Sequence, residues 1–158
     1  MNIKHNILGL TILTCAMASC TESRNKSEAN KASNQIINKD SIKGCYLCTV
    51  NRDTFQLAIR KVEGENIEGS LLYNFAEKDD SKGNFKGTFA EGKLNGEYRF
   101  QAEGKESIRQ VAFKKEGDGF VEGFGEVKEV DGMETFIDTS KISFTNGIKF
   151  TKMDTCLP

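Results

Sequence analysis

The residues best placed to do chemistry are Cys45 and Cys48, spaced C-x-x-C in the stretch GCYLCTV. Two cysteines at this spacing can act as a redox pair, supply half of a metal site, or hold one end of a structural bridge. They have little help. The single histidine, His5, falls within residues 1–19, read below as a removed leader, and the chain has no Trp. Ser-His and Cys-His nucleophilic pairs and His-containing zinc sites are therefore excluded from the rest. A hydrolase would be left with carboxylates, lysine or tyrosine. The expectation is a non-catalytic protein with no cofactor and no resident metal.

If GCYLCTV is a strand, Cys45 and Cys48 point to opposite faces, with Cα atoms roughly 10 Å apart. A disulfide needs less than about 7 Å. They can bond to each other only in a turn or at a helix start, and TVNRDTFQL, which follows, reads as turn and strand. Cys156 is the better partner, because the first and last strands of a closed meander are neighbours. The expected bridge is Cys45–Cys156, with Cys48–Cys156 as its competitor. It would close a loop of about 110 residues and stabilise the fold by up to ~4–5 kcal/mol in the chain-entropy account. The leftover thiol would be buried as a small apolar residue. Three thiolates holding Cu(I) are a weaker alternative.

The N-terminus sets the compartment. Lys4 and His5 precede an apolar run, Ile7 to Ala18, of about twelve residues, too short for a bilayer span of about twenty. It reads as a signal peptide. Ala16-Met17-Ala18-Ser19-Cys20 resembles the lipobox of bacterial lipoproteins, with Met17 where that family prefers Leu. The resemblance implies cleavage after Ser19 and a lipid on Cys20, so the membrane is met through the N-terminal lipid. Thr21 stands where an Asp would signal inner-membrane retention, which points to the outer membrane and leaves the periplasmic or surface face open. Residues 20–43 are rich in Ser, Asn and Lys and read as a flexible tether. An exported domain is oxidising territory, where disulfides persist.

Residues 44–158 are the expected domain, a common single-domain size. The net charge of −1, from 22 basic and 23 acidic residues, leaves no basic patch for nucleic acid. Period-two alternation runs through it: Phe55, Leu57, Ile59; Ile67, Leu71, Tyr73; Phe85, Phe89; Leu94, Tyr98, Phe100, Ala102; Val111, Phe113; Val121, Val127. Ile137, Ile142, Phe144, Ile148 and Phe150 continue with less regular phase. Turn signals separate the runs at EGEN, EGKLN, AEGK, EGDG and VDGM. The segment EKDDSKGN lacks the spacing of a calcium loop.

An apolar-x-Gly-x-apolar unit recurs at Gly69, Gly87, Gly96 and Gly123, each glycine on the apolar face. Strands that coil tightly around a small barrel need such positions. The predicted fold is all-β: an antiparallel up-and-down meander of 8–10 strands, forming a closed or nearly closed lipocalin-like barrel. Phe85, Phe89, Tyr98, Phe100 and Phe113 would point inward, as core or as the lining of a site for a small hydrophobic ligand. Arg109 shares the face of Val111 and Phe113. If inward, it would meet a carboxylate ligand or pair with Glu97 or Glu106, since buried charge must be paired; near a rim it would be merely solvated.

The segments CYLCTVNRDTFQLAI, IEGSLLYNFAEKD, ESIRQVAF and VEGFGEV resemble a group of uncharacterised small bacterial lipoproteins that brings no activity with it. An early C-x-x-C in a lipid-anchored barrel is also similar in architecture to the N-terminal domain of the copper-linked envelope-stress lipoprotein NlpE, whose Pro-Cys-Ala-Asp-Cys wording is absent here. The expected function is a binding or structural module for a small hydrophobic ligand or an envelope protein. The alternative is a thiol redox or copper-sensing protein using Cys45 and Cys48.

Overall fold

The computed structural model describes residues 39–158. The alternating runs become ten strands: β1 (Gly44–Val50), β2 (Asp53–Glu63), β3 (Asn66–Asn74), β4 (Ser81–Ala90), β5 (Lys93–Ala102), β6 (Lys105–Glu116), β7 (Gly119–Gly123), β8 (Val127–Val130), β9 (Met133–Phe136) and β10 (Lys149–Met153). Eight of them close into an antiparallel barrel, in the ring order β1-β2-β3-β4-β5-β6-β7-β10 and back to β1. This is the expected up-and-down closure. β8 and β9 form a hairpin outside the ring, and β9 runs parallel to β6 beside Ile108 and Arg109.

The turns are local chemistry. Glu91-Gly92, Glu103-Gly104 and Asp131-Gly132 each place two successive residues at positive φ, as two-residue hairpin turns require. Gly87 of β4 faces Gly96 of β5. A Cβ at Gly87 would collide with the Asn95 carbonyl oxygen and the Gly96 Cα. These two glycines let β4 and β5 coil tightly around the core.

Inside the ring, Tyr46, Leu57, Phe85, Phe89, Leu94, Tyr98, Phe113, Phe120 and Phe150 form one continuous cluster. Edge-to-face pairs bind it together: Tyr46 with Phe120 at 5.0 Å and Phe113 with Phe150 at 5.7 Å between ring centroids. Phe85, Phe89 and Phe113 are therefore core. Ile42, in a short 3-10 turn (Lys39–Ile42) ahead of β1, is wholly buried in the same cluster and accepts a hydrogen bond at its carbonyl from the Tyr46 hydroxyl, 2.7 Å away. The packed domain thus reaches back before Gly44, into the segment expected to be tether.

β7 departs from expectation. Its inward residues are Phe120 and Glu122, since Glu122 stands opposite Phe113 in the register. Val121 and Gly123, expected inward, lie on the outer face. There Ile142 and Phe144 pack over Gly123, and Gly147 lies against Val121. That outer cover makes both faces of β7 buried, so alternation no longer marks its phase. Val127 and Ile137, expected at apolar strand positions, are exposed on the outer hairpin and the segment after it.

The seam is covalently closed. Cys45 and Cys156 form a disulfide with Cα atoms 5.2 Å apart, within the ordinary range. Cys45 lies on the outer face of β1, and the chain after β10 folds over it, with the Leu157 N–H donating to Gln56 Oε1 at 2.6 Å. That cover explains why Gln56 is buried on the outside of the barrel. Cys20 lies outside the described residues.

Candidate functional site

The two ends of the barrel differ. The end where β1 begins is filled by Ile42, Tyr46, Phe89, Leu94 and Phe120. At the other end, beside the loop between β3 and β4, a cavity of about 210 Å³ opens. Its walls are Phe75, Phe100, Phe124 and Ile148, and its polar lining is Tyr73, Ser81, Arg109 and Glu122. Apolar walls with a few converging polar groups are the usual composition of a ligand site.

Register explains the convergence. Arg109 of β6 stands opposite Tyr98 of β5, and both point inward. Its guanidinium carbon lies 4.9 Å from the Tyr73 ring centroid, 5.6 Å from Tyr98 and 5.7 Å from Phe100. Tyr98 and Phe100 are themselves stacked at 4.7 Å, 12° from parallel. Three electron-rich faces thus hold one cation. Glu122 approaches from β7, its Oε1 3.9 Å from an Arg109 terminal nitrogen. That is Coulombic range and too long for a hydrogen bond. The Tyr73 hydroxyl donates to the same Oε1 at 2.7 Å. Tyr98 is held in turn by Ser81 at 3.0 Å and donates to the Leu71 carbonyl at 3.2 Å.

The set is incompletely satisfied. Arg109 Nε and Glu122 Oε2 are buried and have no hydrogen-bond partner, and no other buried side-chain nitrogen or oxygen among the described residues is in that position. An unmet buried donor or acceptor costs about 1–3 kcal/mol, more for a charged group. Burial pushes the Glu122 carboxyl above its ordinary range, against the opposing pull of the Tyr73 hydroxyl and Arg109. Burial, reinforced by the Glu122 charge, lifts the Tyr73 phenol well above its usual value. The Glu122 side chain is only 4% exposed, and Arg109 is 32% exposed, on the cavity side of the cluster.

The sequence-derived residues divide accordingly. Tyr98, Phe100 and Arg109 meet at the cavity, whereas Phe89 and Phe113 are core. Glu97 and Glu106, the partners expected for Arg109, lie on the outside. Glu106 pairs with Arg99 at 2.6 Å, and Glu97 lines a groove on the outer wall. The real partner, Glu122, escapes a sequence reading that takes Val121 as the inward residue of β7. The signal that could find it is Phe120: taking that residue as inward brings Glu122 in with it.

Cys45 and Cys48 go to different places. Cys45 is bonded to Cys156, while Cys48 faces inward as a buried free thiol whose pKa burial raises. In this arrangement C-x-x-C is not a dithiol pair, and the remaining thiol lacks the exposure and low pKa of a nucleophile. The outer groove, about 280 Å³ between Lys86, Thr88, Asn95, Glu97, Gln110 and Phe136, gathers polar side chains but holds neither of the unpartnered buried atoms.

Comparison of the chain with protein families, with curated proteins and with solved structures finds no match.

Proposed function

We propose that this chain is a lipid-anchored lipoprotein of the cell envelope whose barrel is a non-catalytic binding module, taking a small amphipathic molecule at its open end. The observation that carries the reading is the cavity over the Arg109–Glu122 cluster, where two buried polar atoms lack partners between apolar walls. A structural module would gain stability by filling that space with aliphatic side chains, since a buried ion pair is often no better than well-packed apolar residues. Retaining an unsatisfied pair beside an opening is what binding a polar head group would require. Phe75, Phe100, Phe124 and Ile148 would take the apolar body.

The cavity is smaller than the ~300–1,000 Å³ of sites for drug-sized ligands. It suits a short molecule or the head of a longer one. The lipid anchor rests on the lipobox-like run ending at Cys20, and the outer membrane on Thr21 after it. The described chain enters β1 at the filled end, opposite the opening.

Native mass spectrometry of the full chain, extracted from its own envelope in mild non-ionic detergent, tests the reading. A small co-purifying adduct on the native chain, lost in Arg109→Met, is expected. No adduct, together with no binding of any amphipathic probe to the purified chain, would remove the binding function and leave a structural module. Metabolic labelling with a fatty-acid analogue tests the anchor separately: label surviving in Cys20→Ala would refute it.

A further inference from the structure

The same cavity specifies the charge of its ligand. Arg109 is a cation already stacked against three aromatic rings, so the aromatic box is occupied and a cationic ligand has no place in it. The guanidinium carries five N–H donors in a fixed fork. Its charged neighbour, Glu122, stands at 3.9 Å, beyond hydrogen-bond reach, and Nε lacks any acceptor. A planar, singly charged oxyanion is the group that matches such a fork.

Glu122 limits what can arrive. It is almost wholly buried, and Arg109 is the cation paired with it. The groups facing it from the packed elements are Tyr73 on β3, Arg109 on β6 and, through the ring cluster, Tyr98 on β5 with Ser81 on β4. Ile148 ahead of β10 and Phe124 after β7 add only apolar surface. Lys149, next to Ile148, is turned to Glu116 at 3.6 Å. A second carboxylate beside Arg109 would put two anions against one cation, one of them almost wholly buried, and like charges so placed do not both stay ionised.

Resting on the binding-module reading above, we propose that the ligand is a small carboxylate with an apolar body, and that it binds Arg109 as Glu122 takes up one proton from solvent. The ligand stays anionic and the carboxyl of Glu122 becomes neutral. The only covalent change is one O–H bond formed on Glu122. The site keeps a net charge of zero before and after. A protonated Glu122 also gains an O–H donor while Oε1 keeps the hydroxyl of Tyr73.

The pH dependence has a definite sign. Burial already holds Glu122 above the ordinary carboxylate range, and a neighbouring anion raises it further. Between those two values binding takes up a proton, so affinity weakens as pH rises, by up to about tenfold per unit. In Glu122→Gln the slope disappears.

The experiment is isothermal titration of the full chain in non-ionic detergent with phenylacetate, in buffers of different ionisation enthalpy, beside phenylacetamide. Expected are saturable phenylacetate binding, about one proton taken up at the pH where affinity is falling, and a loss of roughly ten- to a hundredfold in Arg109→Met. Glu122→Gln should bind without proton uptake and more tightly than the parent at high pH. Proton counting on the parent chain stands even if that variant fails to fold. Arg109-dependent binding of phenylacetate with no proton uptake would overturn the coupling. Equal binding of phenylacetamide would overturn the carboxylate class while leaving a binding module in place. Failure of both probes and of their longer-chain homologues would overturn the proposal outright.

Discussion

The filled end and the open end of this barrel are both built around aromatic side chains, and β5 and β7 contribute to each. At the filled end, Tyr46, Phe89, Leu94 and Phe120 interlock, with Ile42 beneath them, and the polar group there, the Tyr46 hydroxyl, has its acceptor. At the open end, Tyr73, Tyr98 and Phe100 surround a guanidinium, and two charged side chains keep buried atoms without partners. The difference lies in what the aromatics face: one set faces itself and makes stability, the other faces charge and a cavity.

The comparison is broken most severely at the filled end. Phe89→Ala should cost about 3–5 kcal/mol in chemical denaturation, because the cavity left there cannot collapse. Phe100→Ala, half-buried at the opening, should cost less than half of that. Comparable losses at both positions would erase the distinction.

Cys156→Ser should cost about 2–5 kcal/mol by freeing a loop of 111 residues' separation. The loss should fall on the whole barrel, since the bridge ties β1 to the chain after β10. Disulfide mapping by mass spectrometry checks the pairing directly, and a Cys45–Cys48 link would contradict it.

Tyr73→Phe removes the only hydrogen bond to the Glu122 carboxylate among the described residues. The expected cost is about 1–3 kcal/mol near neutral pH. The same removal at the filled end, Tyr46→Phe, leaves a neutral carbonyl unpaired and should cost less.

The smallest effect sharpens the comparison by pH. The folded-state pKa of Glu122 is raised. The stability linked to its protonation is therefore fully present below the unfolded carboxyl value, about 4.3, and is lost as pH rises through the folded value. Glu122→Gln should gain stability relative to the parent across that window. The gain is about 1.4 kcal/mol for every pH unit separating the unfolded value from the folded one. Denaturation curves at several pH values read it out, and a difference independent of pH would contradict the assignment.

Much of this is legible in the residues themselves. Alternation in β3 and β5, and the spacing of Phe55, Leu57 and Ile59 in β2, mark the inward faces, and Glu-Gly and Asp-Gly mark the turns. Strand geometry and closure point Cys156 to one of the two early cysteines, and the structure selects Cys45 over Cys48. What stays hidden is the second layer outside β7. Ile142 and Phe144 cover Gly123 from outside, so apolar character falls on both faces and the period of two fails. With Val121 taken as inward, Glu122 turns to solvent and Arg109 is left to seek Glu97 or Glu106. A one-residue error of phase conceals half of the site, because strand parity assigns every side chain of β7 at once.

The most direct test is amide chemical-shift mapping of the labelled full chain during phenylacetate titration. A ligand seated over Arg109 predicts saturable shifts confined to the open end, at Tyr73, Ser81, Phe100, Arg109, Glu122 and Phe124, with Phe89, Leu94 and Phe120 unmoved. Shifts centred instead on Thr88, Asn95 and Gln110 of the outer groove, or no saturable shifts at all, would contradict it.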